Sequence, residues 1–226
     1  MHSRNTHCHG RDVKPAMAQT PRCSVEWPPR MTQRAILDPA TLLKAYSQGV
    51  FPMADADGSI GWYTADPRGI MPLDAFRPTR SLRAAVRQDR FELRINSAFE
   101  TTMRACMELR AQQTWINQEL IDAYVRLHHM GFAHSVESWA GGELAGGLYG
   151  VSLGGAFFGE SMFHRKTDAS KVALYHLVER LRERGFDLLD TQAVTPHLQS
   201  MGCIELPAAE YLRRLAKSIR NECLFA

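Results

Sequence analysis

Three polar side chains stand where strand patterns call for hydrocarbon. Glu160 interrupts Phe157-Phe158-Gly159-Glu160-Ser161-Met162-Phe163. Asp190 and Gln192 end the run Phe186-Asp187-Leu188-Leu189-Asp190-Thr191-Gln192. A carboxylate can hold a cation or move a proton, and an amide can donate and accept at once. Strand alternation puts Asp190 and Gln192 on one face, roughly 7 Å apart along the chain. The same residues would also suit the exposed end of a strand. Between the two runs lies an amphipathic segment, about Asp168 to Arg184, with Leu174, Leu177, Val178 and Leu181 on one face and Gly185 to end it. A helix of that length can carry the chain back across a sheet, so the two strands are expected to be parallel. Open α/β sheets place ligands beyond the carboxyl ends of such strands.

Other chemistries fit less well. Gly159-Glu160-Ser161-Met162-Phe163 lacks the last glycine of a nucleophile elbow, and the chain has no P-loop. There is no Cys-x-x-Cys, and no His, Asp or Glu pair has metal-ligand spacing beside the Gly155–Gln192 region. His7-Cys8-His9 could take a metal adventitiously but is followed by no second ligand pair. His134 opens an alternating strand and reads as a structural histidine. Five cysteines without paired spacing point to reduced thiols in a cytosolic protein. No run approaches the roughly 18 apolar residues of a membrane helix, and the N-terminus carries no apolar signal-type core. Five basic and two acidic side chains within residues 1–30 account for the whole net charge of +3, so the remainder is balanced.

The elements that must position the three polar residues are well punctuated. Residues 1–30, rich in His, Pro, Arg and Thr, read as a disordered extension without a role in folding. Residues 31–75 read as a small N-terminal α+β domain: a helix capped by Asp38 and opened by Pro39, with Leu42, Leu43 and Tyr46 on one face, then short strands and a turn at Asp66-Pro67-Arg68-Gly69. Residues 76–226 form the larger domain. Arg80, Arg83, Arg87 and Arg90 make one basic stripe at helical spacing, either a solvated face or a phosphate contact. Ser97 and Glu100 form a capping box, and Asn117 caps a further helix ended by Gly131. Strands at Ala133–Trp139, Gly147–Leu153 and Ala156–Phe163 are joined by glycine pairs into an antiparallel meander. After Gln192 come a short helix at Pro196–Met201, a last strand at Cys203–Leu206, and a helix at about Ala208–Arg220 with Tyr211, Leu212 and Leu215 inward. This order predicts an α+β, GNAT-like mixed sheet flanked by helices. A coenzyme A cradle would need a glycine-rich turn before the central helix; His164-Arg165-Lys166-Thr167-Asp168 has no glycine and contains an acid.

Several motifs together resemble the leucyl/phenylalanyl-tRNA–protein transferase family. They are Leu43-Lys44-Ala45-Tyr46-Ser47-Gln48-Gly49-Val50-Phe51-Pro52, Trp62, Asp66-Pro67-Arg68 and Thr114-Trp115-Ile116-Asn117. They continue with Gly131-Phe132-Ala133-His134-Ser135-Val136-Glu137, Gly147-Leu148-Tyr149-Gly150-Val151, Gly159-Glu160-Ser161-Met162-Phe163, Ala169-Ser170-Lys171 and Leu189-Asp190-Thr191-Gln192. The resemblance implies a cytoplasmic, monomeric enzyme that moves leucine or phenylalanine, and less well methionine, from aminoacyl-tRNA to proteins beginning with Arg or Lys. The product would be an N-degron, and neither cofactor, metal nor membrane would be required. It assigns catalysis to Asp190 and Gln192 and acceptor binding to Glu160. The donor side chain goes to Phe157, Met162, Leu174 and Leu177, and the adenosine to Trp115; the stripe read from spacing, Arg80, Arg83, Arg87 and Arg90, would then hold the tRNA acceptor stem without reading sequence. Because the donor is an activated ester, Asp190 is expected to act as an anchor that orients Gln192 and the amine, rather than as the sole proton acceptor. Ala193 stands where the family usually has a larger apolar residue.

Overall fold

The structure, a computed structural model, describes residues 22–24, 37–109 and 114–226. Helix α1 (Pro39–Ser47) begins as its sequence dictates: Asp38 Oδ1 accepts the Ala40 and Thr41 N–H groups at 3.0 and 3.2 Å, and Pro39 occupies the first turn. It buries Leu42, Ala45 and Tyr46. Strands β2 (Phe51–Ala54) and β3 (Ile60–Ala65) pair antiparallel, and β1 (Arg22–Ser24) adds to the other edge of β3. Residues 22–24, within the segment expected to be a disordered extension, thus pair with β3. The remainder of that segment, His7-Cys8-His9 and the boundary at Met31 lie outside the described residues.

A seven-stranded sheet has the order β10-β4-β9-β8-β7-β6-β5. Strands β5 (Glu92–Ile95), β6 (Ala133–Ala140), β7 (Glu143–Leu153) and β8 (Ala156–His164) pair antiparallel in succession. Strand β9 (Leu188–Gln192) then lies parallel to β8, joined to it by helix α5 (Ala169–Glu183). This is the GNAT-like mixed α+β arrangement expected. Strand β4 (Arg68–Met71) departs from expectation. It belongs to the large sheet, between β9 and β10 (Ile204–Leu206), rather than to the small unit ending at residue 75. Both its partners come more than a hundred residues later, so local residues, with Pro67 and Gly69, announce only a turn.

Side-chain alternation divides the core between the two sheet faces. Helices α1, α3 (Phe99–Glu108) and α4 (Gln118–His129) cover one with Leu42, Met103, Leu120 and Phe158. Helices α2 (Arg80–Arg87) and α5 cover the other with Leu82, Leu177, Val178 and Phe157. Asn117 caps α4, its side chain accepting the Leu120 N–H at 2.9 Å. Ser97 does not cap α3: its hydroxyl turns to the Ile95 carbonyl, and buried Glu137 from β6 accepts the Ala98 N–H at 2.9 Å instead. The short helix α6 (Pro196–Gln199) is followed by α7 (Ala208–Ser218), which buries Tyr211, Leu215 and Ser218. That line of contact is too narrow to include Leu212, which is 43% exposed rather than inward.

Candidate active site

The site lies where the sheet divides. Parallel pairing of β8 with β9 runs from Ala156↔Leu188 to Phe158↔Asp190 and stops. Just beyond, each strand carries one extra residue. In β8, Gly159 faces Gly150 and Ser161 faces Tyr149, which leaves Glu160 bulged. In β9, Asp190 faces Ile70 and Gln192 faces Gly69, which leaves Thr191 bulged. Bulges bend a strand and re-aim its side chains. Each needs a glycine on the neighbouring strand: a Cβ at Gly150 would stand 2.3 Å from the Phe158 carbonyl oxygen, and one at Gly69 2.6 Å from the Ala193 carbonyl carbon.

Between the parted strands is a cavity of about 570 Å³. Glu160 and Gln192 meet in its wall, where the Gln192 amide Nε2 donates to Glu160 Oε1 at 3.1 Å. The Tyr46 hydroxyl lies 2.8 Å from the same oxygen and the Tyr124 hydroxyl 3.4 Å from Oε2, and the two phenols also lie close to each other, so their two protons are shared among three contacts. Glu160 keeps contact with the cavity, yet its carboxyl is ringed by protein. That burial pushes it up to about 7; the Tyr46 hydrogen bond pulls it down, and the Asp190 charge adds to the rise. Burial, with the charge of Glu160, raises both phenols well above their ordinary value and keeps them protonated.

Asp190 is sealed behind this corner. Arg68 grips it through Nε to Oδ1 at 3.0 Å and Nη2 to Oδ2 at 2.6 Å, and the Tyr211 hydroxyl donates to Oδ2 at 2.6 Å. Its remaining acceptor capacity on Oδ1 takes the backbone N–H of Gln192 at 2.7 Å. Arg68 and Asp190 are 1% and 0% exposed. The guanidinium lies over the rings of Phe51 and Tyr211 at 4.9 and 4.7 Å and donates to the Gly49 carbonyl at 3.0 Å. Burial alone would lower the Arg68 pKa; the Asp190 charge and hydrogen bonds, with Tyr211 and Glu160, together outweigh it, and the pKa rises. Simple alternation would set Asp190 and Gln192 side by side. The Thr191 bulge, together with a left-handed Gln192 (φ 61°), breaks that alternation, so Gln192 lines the cavity and Asp190 does not.

The apolar wall is made by Leu148, Met162, Leu174, Leu177 and Leu189, with Trp115 at another side. Phe157 is not part of it. It sits where β8 and β9 are still paired, fully buried against Phe225 with ring centroids 5.1 Å apart. Lys171 and Asp168 also line the cavity. Asp168 accepts from Lys171 Nζ at 3.0 Å and from Arg90 Nη2 at 3.2 Å. The Ser161 hydroxyl, in the same wall, is buried with no hydrogen-bond partner.

Comparison with known proteins gives this geometry a family. The model described as "Leucyl/phenylalanyl-tRNA protein transferase" matches residues 70–216, and that for the transferase's N-terminal domain matches residues 35–66. The chain belongs to the leucyl/phenylalanyl-tRNA–protein transferase family. The family member from Rubrobacter xylanophilus is 52% identical over 191 residues, which is 84% of this chain and 99% of that one. The one from Herpetosiphon aurantiacus is 53% identical over 196 residues, 86% of this chain and 100% of that one. Solved structures match more remotely: L-PGS from Bacillus licheniformis is 13% identical, with a TM-score of 0.41 over 68% of this chain and 50% of that one.

In this transferase the structure gathers Glu160, Gln192, Trp115, Met162, Leu174 and Leu177 around one cavity, with Asp190 directly beneath. The arginine stripe divides. Arg80, Arg83 and Arg87 are exposed on α2, whereas Arg90 lies past the end of that helix and reaches the cavity wall through Asp168. Sequence reasoning missed Tyr46 and Tyr124, read as core, and Arg68, read as a turn. The available signal was chemical: a phenol on an otherwise apolar helix face needs a partner for its hydroxyl. Among the described residues, no helix is long and apolar enough to cross a membrane.

Proposed function

We propose that the protein transfers leucine or phenylalanine, and less well methionine, from aminoacyl-tRNA to the N-terminal α-amine of proteins beginning with Arg or Lys, so creating an N-degron. The observation that carries this reading is the mixed lining of one cavity: hydrocarbon from Met162, Leu174, Leu177 and Leu189, and the hydrogen-bonded pair Glu160–Gln192. A straight or aromatic apolar side chain suits the first kind of wall. A branch at the β carbon would crowd it, and discrimination of one methyl is worth about 1–3 kcal/mol. A cationic acceptor N-terminus suits the second, where Glu160 supplies negative charge. Gln192 orients the reacting groups and Asp190 fixes Gln192 from below. Trp115 offers a flat face for the terminal adenosine. Arg80, Arg83, Arg87 and Arg90 hold the tRNA through phosphates, which positions it without reading sequence. Ala193 also lines the cavity, and its small side chain takes little of the space there. The ester is already activated, so the chemistry calls for no cofactor, and the setting is a cytoplasmic monomer.

The test is transfer of label from leucyl-tRNA to a peptide beginning with Arg. Transfer is expected, and it should fail when the peptide's α-amine is acetylated. Transfer from acetyl-coenzyme A alone, or tRNA binding without transfer, would refute the reading.

A further inference from the structure

Resting on that reading, we infer that Glu160 does more than attract the acceptor: its carboxylate takes the proton from the attacking α-amine and returns it to the departing ribose oxygen, held for this by the hydroxyls of Tyr46 and Tyr124. The side chains around the cavity leave few alternatives. Asp190 has both oxygens occupied by Arg68, Tyr211 and the Gln192 N–H, and it does not reach the cavity. Gln192 reaches the cavity, but a carboxamide does not take up protons near neutral pH. Asp168 is committed to Arg90 and Lys171, which hold it below the usual carboxylate range although burial opposes them. His164 and His197 also line the cavity but are exposed, and neither is hydrogen-bonded to Gln192 or Glu160; His197 is held below its ordinary pKa chiefly by burial, with Lys171 adding to it. Among the described residues that line the cavity, Glu160 is the ionisable acceptor that touches Gln192.

Its surroundings suit the task. The charged and titratable groups facing it are Tyr46 from α1, Tyr124 from α4, Arg68 from β4 and Asp190 from β9. The two phenols are donors that cannot themselves compete as bases, because their own pKa values are driven up. They steady the carboxylate, while burial holds Glu160 near 7. That lies close to a free α-amine, whose reference value is about 7.7–8.0. A base matched to its substrate in this way transfers protons efficiently in both directions. The step balances. The amine nitrogen bonds to the ester carbonyl carbon and its proton passes to Glu160. The carbon–oxygen bond to the ribose then breaks, and the proton moves from Glu160 to the ribose oxygen. The products are an amide and a free ribose hydroxyl, with Glu160 again ionised.

The experiment measures kcat and KM for leucyl-tRNA and an Arg-initiated peptide against pH, using the full chain. In the wild type, kcat should rise through an inflection near pH 7. The inflection should stay in place when the peptide is replaced by one whose α-amine has a lower pKa. Glu160→Gln should lower kcat by about 100-fold or more and abolish the inflection, beside any rise in KM for the Arg-initiated peptide from the lost charge. Tyr46→Phe should remain active with the inflection moved to higher pH, since its hydrogen bond favours the ionised carboxylate. A Glu160→Gln enzyme that keeps its kcat and pH profile, or that only raises KM for basic N-termini, overturns the inference. An inflection that follows the amine overturns it too. Should Glu160→Gln fail to fold, Tyr46→Phe decides alone, and an unmoved inflection is then the refuting result. Absence of any transfer by the wild type would instead refute the functional reading beneath it.

Discussion

Asp190 bonds the Gln192 backbone beneath the cavity without lining the cavity itself. The Arg68 pair lies wholly out of water, where two charges are costly unless geometry and extra hydrogen bonds compensate. Here Nε and Nη2 meet both carboxylate oxygens, Tyr211 adds a donor, and two rings sandwich the guanidinium. Removing one partner strands the other, so Asp190→Leu or Arg68→Met alone should cost about 3–5 kcal/mol, seen as a lower denaturant midpoint. An intact fold is thus not expected of the Asp190 single variant. The double variant should recover much of that stability, because apolar pairs often replace buried ion pairs at little cost. It should not recover transfer. Gln192 sits in a left-handed conformation that costs on the order of 1–3 kcal/mol, and the Asp190 carboxylate holds its N–H there. Full activity in a refolded double variant would reduce Asp190 to a stability element.

At the scale of elements, strand β6 enters the sheet through a histidine kept neutral. His134 Nε2 donates to the Gly131 carbonyl and Nδ1 accepts from the Asn96 side-chain amide, each at 3.0 Å. The Asn96 oxygen is taken by the Ser135 N–H, so a second proton on the ring would meet only donors. Burial lowers the His134 pKa to about 4, against the Gly131 bond, which favours the charged form. The unfolded chain binds this proton below its ordinary value of 6.5 and the folded chain resists until about 4. Stability should therefore be full above pH 6.5 and fall as pH drops through that window, by roughly 3 kcal/mol at most. Denaturant melts against pH should show a shallower acid slope in His134→Gln than in the wild type; equal slopes would assign the loss to other groups. Local pattern announced β6, the meander, α5 and the caps at Asp38 and Asn117, because each rests on neighbours in the chain. It did not announce β4, whose partners are remote, or the bulges at Glu160 and Thr191, which depend on Gly150 and Gly69 across the sheet. Ser97 misled for the same reason: the donor at the start of α3 is met by Glu137 from another element.

In the whole molecule the site is composite. The two family models divide the chain between residues 66 and 70, where it leaves the small sheet for the large one, and side chains from both portions meet at the Glu160–Gln192 corner. Tyr46 comes from the N-terminal part; Tyr124, Glu160 and Gln192 come from the larger one. Charge is distributed with the same economy. Helix α2 turns Leu82 and Ala85 inward and leaves Arg80, Arg83 and Arg87 exposed, and among the described residues none of these three has an ion-pair partner. Arg90 continues the line to Asp168 and Lys171 in the cavity wall. A nucleic-acid backbone following that line would arrive with its terminal ester at the cavity. Each phosphate neutralised contributes about 0.7–0.9 to the slope of log affinity against log salt. Arg83→Glu with Arg87→Glu should therefore weaken tRNA binding and flatten that slope by about 1–2. Because both residues are solvent-exposed and neither lines the cavity, kcat at saturating leucyl-tRNA should hold, and the thermal midpoint should barely move. A filter-binding or fluorescence titration over a range of salt concentrations checks this. Unchanged affinity and slope would mean that the exposed arginines are a solvated face and that the tRNA reaches the cavity from another side.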